Sequence, residues 1–130
     1  MSDDLIPVRK MCAAYDVTPR ALRFYEDEGL LSPVRRGTAR WYGPADRARL
    51  DLILRCRRYG LPVQEIRMLI QQFDAETGRF AQPDLVQAKG KQQLDLLRRR
   101  ERELTAAIDE LSDDLAAATR WLDRKAAESH

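Results

Sequence analysis

Histidine and cysteine are nearly absent from this chain. Its 130 residues hold two cysteines, Cys12 and Cys56, and one histidine, the terminal His130. These share no metal-type spacing, so no tetrahedral metal site can be assembled within one chain, and no cofactor is expected. Two isolated thiols fit a reducing compartment. With no secretory leader and no apolar run of membrane length, a cytoplasmic protein is expected. No nucleophile–base pair, phosphate loop or carboxylate dyad appears, which leaves an enzyme little to stand on. Net charge is scarce as well: it is only +2, so the total names no partner.

The distribution of charge says more than its sum. Residues 1–73 hold thirteen Arg and Lys against nine Asp and Glu, whereas 74–130 hold ten against twelve. A polyanion would therefore meet the front half. Lysine is almost missing there, since Lys10 is the one exception among arginines. Guanidinium forks match phosphate oxygens and guanine edges better than a lysine point charge does. Codon bias accounts for the number of arginines but not for their placement.

Along the chain, "PVRKMCAA" predicts a short helix at about 7–14 with Val8, Met11 and Cys12 on one buried face. After "YDV", Thr18 is a natural N-cap and Pro19 a natural first residue for a second helix reaching about Glu28, where Gly29 stops it. "LLSPVRRGTARWY" reads as a small hairpin with a basic tip. Pro44 and Asp46 open a third helix whose Leu50, Ile53 and Leu54 face inward, and Gly60 ends it. Val63, Ile66, Leu69 and Ile70 form the apolar face of a fourth. The fold class is mainly α. A domain of four helices plus a hairpin spans 1–73, a linker 74–84, a long helix 85–127 and a tail 128–130.

That long helix carries a heptad. Leu94, Ile108, Leu115 and Leu122 occupy one seam position, and Leu97, Leu104, Leu111 and Ala118 the other, with Glu101 as the interruption. About forty residues at 1.5 Å each would reach roughly 60 Å, further than a domain of this size can cover. The seam is therefore expected to meet a second chain.

On the second helix, Ala21, Leu22 and Tyr25 point one way while Arg20, Arg23, Phe24 and Asp27 point the other. Thr18, Arg20 and Arg23 sit in its first turns, and Glu26, Asp27 and Glu28 crowd its last. Acids there oppose the helix dipole and would repel phosphate. A polyanion must approach the N-terminal end, where dipole, free N–H groups and arginines act together. The bland alternative is a solvated face with an Arg23–Asp27 pair, worth about 0.2–0.5 kcal/mol. The hairpin decides between them. Arg35, Arg36 and Arg40 follow directly, as a basic wing that can grip the neighbouring backbone. Of Trp41 and Tyr42, one should pack beneath the wing, and Trp41 is the expected one. Helix plus basic wing is the winged helix-turn-helix arrangement.

"VTPRALRFYEDEGLLSP", Arg40 with Tyr42, and "YGLPVQEIRMLI" resemble in order and spacing the signature of the MerR family of bacterial transcription regulators, across residues 6–73. The resemblance implies a homodimer joined by an antiparallel coiled coil. Such a dimer binds a pseudo-palindromic promoter, often with an overlong spacer, and distorts it so that RNA polymerase can use it. It further implies that Thr18, Arg20 and Arg23 read the groove. Phe24, Tyr42, Arg35, Arg36 and Arg40 would hold the backbone, and Tyr25 would be structural. A nucleoid-associated location follows.

The chain also departs from the family pattern. Phe24 replaces a usual tyrosine, removing one hydroxyl–phosphate bond. Asp16 replaces a turn glycine, and tolerates a left-handed conformation. Cys12 stands where a small alanine is usual and should pack. Cys56 lies among arginines that could lower its pKa, but packing is the favoured role. No cysteines or effector domain follow the long helix, so metal or redox sensing by the family's usual route is not expected. A ligand would be confined to crevices between the coiled coil and the winged domains. The chain is similar in lacking an effector domain to shortened members that resemble regulators of acyl-CoA and branched-chain catabolism. The competing class is a non-specific architectural or adaptor protein that uses the coiled coil for partners.

Overall fold

The structure is a computed structural model and describes residues 4–129. Its elements are β1 (Ile6–Pro7), α1 (Val8–Tyr15), α2 (Pro19–Asp27), β2 (Val34–Arg36), β3 (Ala39–Tyr42), α3 (Pro44–Arg58), α4 (Val63–Gln72), β4 (Phe73–Asp74), β5 (Arg79–Phe80) and α5 (Pro83–Glu128).

Local chemistry sets most boundaries. α1 stops at Asp16, which takes the left-handed conformation (φ 53°) expected of it in place of glycine. Thr18 Oγ1 accepts from the Ala21 N–H at 3.0 Å, capping α2 with Pro19 as its first helical residue. At the other end Leu30 N–H donates to Tyr25 O and Gly29 N–H to Glu26 O. These two bonds make a Schellman motif, and Gly29 supplies its positive φ of 75°. α3 ends the same way, through Gly60 and Leu61 onto Arg57 O and Cys56 O. In both motifs the residue after the glycine is a leucine, and Leu30 is buried in the core.

The wing has three strands, in the order β1-β3-β2. The expected hairpin is β2–β3, with Val34 opposite Trp41 and Arg35 opposite Arg40. Ile6 and Pro7 add the outer strand against Tyr42 and Trp41. Two residues carry no readable periodicity, which is why the sequence does not announce this strand.

The core joins Met11 of α1, Leu22 and Tyr25 of α2, Leu30 and Leu31, Tyr42 of the wing, Leu50, Leu52, Ile53 and Cys56 of α3, and Ile66 and Ile70 of α4. At about 1.5–3 kcal/mol per fully buried large apolar side chain, this cluster holds α2 and the wing on one frame. Asp46 is the buried charge within it. It accepts from Ser32 N–H and pairs with Arg49 at 3.3 Å, tying the loop after α2 to the start of α3.

The segment read as a linker, 74–84, is largely taken up by a second small hairpin, β4–β5, which begins at Phe73 opposite Phe80, and its last two residues open α5. Asp74 Oδ1 accepts from Glu76 N–H at 2.9 Å to close its turn, and the two phenylalanine rings lie 5.3 Å apart. The chain divides into two compact units after Gly90, so the first turns of α5 belong with the front unit. There Lys89 pairs with Glu65 of α4 at 2.7 Å. α5 is one unbroken helix of 46 residues with none of them buried. In the second unit Leu94, Leu104, Ile108, Leu111, Leu115 and Leu122 are 46–62% exposed, and Leu97 is half-buried. No helix among the described residues is long and apolar enough to cross a membrane.

Candidate nucleic-acid interface

The capped end of α2 presents Thr18, Arg20, Arg23 and Phe24 outward, with Leu22 and Tyr25 buried behind them. Phe24 is 40% exposed, unusual for an aromatic beside a core. Neither Arg20 nor Arg23 forms an ion pair or side-chain hydrogen bond among the described residues. The Arg23–Asp27 pair that would have made this a solvated face is therefore not formed. Arg20, Arg23 and Arg40 line one crevice with Val8 and Pro19. The two unpaired guanidiniums of Arg20 and Arg23 and a helix N-terminus together attract an anion.

The wing has two chemically distinct faces, because alternate strand residues point opposite ways. One face carries Val34, Arg36 and Trp41, with the Arg36 guanidinium 6.0 Å from the Trp41 ring centroid. The other carries Arg35, Arg40 and Tyr42, and looks onto Glu26 of α2. Arg40 Nε pairs with Glu26 Oε1 at 2.9 Å, and Arg35 reaches the same oxygen at 4.0 Å. Tyr42 donates its hydroxyl to Glu26 Oε2 at 2.5 Å, and accepts from Arg40 Nε at 3.4 Å.

This geometry corrects three expectations. Tyr42 is 0% exposed and cannot hold a phosphate; its hydroxyl is already committed to Glu26. The residue packed beneath the wing is thus Tyr42 and not Trp41, which is half-buried on the opposite face. Strand parity decides this, since two neighbours cannot both face the core. Arg40 is not a free wing cation either: its side chain is 11% exposed and is spanned by Glu26 and Tyr42. Arg35 and Arg36 remain the exposed wing arginines.

Burial and the Glu26 bond push the Tyr42 phenol up to about 12, so it stays protonated throughout the neutral range. The hydrogen bond that Arg40 donates to the Tyr42 oxygen, together with the adjacent Glu26 carboxylate, raises the Arg40 pKa, against burial. The thiols are pushed up as well. Burial dominates at Cys12 over the opposing Arg40, and at Cys56 over the opposing Arg55. Packing thus moves the Cys56 thiol in the direction opposite to activation by its arginine neighbour. Among the described residues no cluster of three or more His, Cys, Asp or Glu could hold a metal.

The sequence reading overlooked two sets of residues. Glu26 is the first; the signal was present, because an acid placed against the helix dipole is locally unfavourable and so invites a tertiary partner. Glu28, in the same turn, pairs with Arg67 of α4. The second set is Arg57 and Arg58, exposed at the end of α3 and lining a crevice with Tyr15, Val17 and Leu54. Only the packing of α3 beside the helix-turn-helix reveals that location.

Comparison with known proteins follows the same geometry. Residues 6–72 match the family described as MerR HTH family regulatory protein, and residues 47–113 match that described as MerR, DNA binding. No match is found among the curated proteins. Among solved structures, a MerR family transcriptional regulator from Bacillus cereus superposes with a TM-score of 0.70 at 22% identity, covering 84% of this chain and 78% of that one. HiNmlR, a MerR family regulator lacking the sensor domain and bound to promoter DNA, gives 0.66 at 22% identity, covering 86% and 88%. The regulator PbrR691 from Ralstonia metallidurans CH34, in complex with lead(II), gives 0.57 at 30% identity, covering 80% of each chain.

Proposed function

The chain belongs to the MerR family of helix-turn-helix regulatory proteins, DNA-binding regulators of transcription, and from that premise we propose that it acts as a homodimer on a pseudo-palindromic promoter operator. The observation that carries this reading is the unpaired Arg20 and Arg23 at the capped end of α2, mounted on one core with an exposed basic wing. Arg20 and Arg23 meet base edges, where a bidentate guanine contact is worth about 1–3 kcal/mol of discrimination. Thr18, Arg35 and Arg36 contact the backbone, and Phe24 packs against sugar without a hydroxyl bond to phosphate. Arg57 and Arg58 add a further backbone contact. Arg40 and Tyr42 act from behind this surface.

Two such domains are joined through the seam of Leu94, Leu97, Leu104, Ile108, Leu111, Leu115 and Leu122, running antiparallel. The dimer distorts the promoter, a cost that depends on the sequence being deformed, and thereby controls RNA polymerase. The site of action is the cytoplasm, at the nucleoid. A similar MerR family regulator lacking the sensor domain is found bound to promoter DNA, which supports operator binding through the parts the two chains share.

Salt-titrated binding to an operator and to random duplex tests the assignment. Arg20→Ala should cost about tenfold or more on the operator and little on random DNA. Arg36→Ala should weaken both alike and lower the salt slope by about one. Equal affinity of the wild type for every duplex would favour the architectural alternative.

A further inference from the structure

The wing contains an arrangement that its own strands would disfavour. Arg35 and Arg40 are directly opposite each other on β2 and β3. Their side chains share a face, where like charges destabilise a strand pair. Glu26 resolves this from another element. One carboxylate, on a side chain only 5% exposed, takes Arg40 and Arg35 on Oε1 and the Tyr42 hydroxyl on Oε2. Among the described residues no other side-chain ion pair or hydrogen bond joins α2 to the wing, and Glu26 makes this one from the helix that carries Arg20 and Arg23. The partners differ in access: Arg40 is 11% exposed and Arg35 is 70% exposed. Arg40 is therefore the fixed half of the joint, and Arg35 the half that solvent or a phosphate can reach.

We propose that Glu26 is a positioning residue for operator recognition, locking the wing to the recognition helix so that Arg35 and Arg36 meet the backbone at a fixed offset from Arg20 and Arg23. This rests on the DNA-binding reading above. A carboxylate beside a polyanion ought otherwise to weaken binding. Here its charge is offset by the Arg40 guanidinium at 2.9 Å, with Arg35 further off at 4.0 Å, and the registration it enforces outweighs the remaining repulsion. Removing the charge unpairs a buried arginine and loosens the offset between the wing's basic face and α2, within the limits the shared core sets. Non-specific grip survives such freedom, because any phosphate serves. Base readout does not, because Arg20 and Arg23 then lose their register.

The test uses the full chain, a duplex that the wild type selects from a random-sequence pool, and an unselected duplex. Glu26→Gln keeps the side-chain volume and one acceptor. It should lower affinity for the selected duplex about tenfold or more, the scale of one lost base contact. Affinity for unselected DNA should be unchanged or slightly higher, so the ratio of the two falls. Tyr42→Phe, which keeps the ring, should lower the ratio in the same direction and serves if Glu26→Gln does not fold. Melting curves run alongside. A lower melting temperature with an unchanged ratio would make Glu26 merely structural and overturn the inference. Tighter binding to both duplexes by one factor would make it merely repulsive, and would overturn it equally. A wild type that selects no sequence at all would refute the functional reading and this inference with it.

Discussion

Replacing Ile108 by aspartate tests the proposed antiparallel dimer at its centre. Ile108 lies midway along the seam from Leu94 to Leu122, so in an antiparallel pair both copies of it meet near the two-fold axis. It is 56% exposed in the single chain. Full burial of such a side chain is worth about 1.5–3 kcal/mol, so covering the exposed half contributes about 1–1.5 kcal/mol. Symmetry doubles this to about 2–3 kcal/mol per dimer. Two facing carboxylates in a dry seam add desolvation and repulsion on top. The dissociation constant should rise at least about a hundredfold, enough to convert a micromolar dimer to monomer. Sedimentation equilibrium measures this directly. The melting temperature of the front unit should not move, since Ile108 is outside its core cluster. Affinity for a two-half-site operator should collapse while affinity for a single half-site holds, because the second contact is no longer intramolecular. A wild type that sediments as a single chain at tens of micromolar, or an Ile108→Asp variant that remains as tightly paired, would refute the reasoning.

Two further outcomes are expected of the front unit. Thr18→Ala removes the acceptor of the Ala21 N–H and should cost about 1 kcal/mol, a fall of roughly 4–8 °C in melting temperature by calorimetry. Tyr42→Phe should change the alkaline limb of stability. The folded phenol sits at about 12 against 10 for the unperturbed group. Its contribution is complete below pH 10 and is lost as pH rises from there towards 12. The difference between wild-type and Tyr42→Phe unfolding free energies should therefore shrink across that window; a constant difference would contradict the buried Glu26 bond.

The sequence alone determined the elements whose causes are local. Thr18-Pro19 and Gly29 bound α2, Asp16 makes the left-handed turn, Gly60 ends α3, and an apolar heptad marks α5. Each depends on neighbours within a turn or two, so each is written in consecutive residues. The outward placement of Arg20, Arg23 and Phe24 was legible for the same reason, through helical periodicity. Tertiary structure decided what lies across elements. Whether Trp41 or Tyr42 faces inward depended on the parity of a strand relative to α2, and a hairpin of either parity reads alike. The withdrawal of Arg40 depended on Glu26, sixteen residues before Tyr42 and on another element. The β1 strand, the β4–β5 hairpin and the crevice beside Arg57 and Arg58 likewise arise from packing. Periodicity states which face a residue occupies, but only the assembled core states what that face meets.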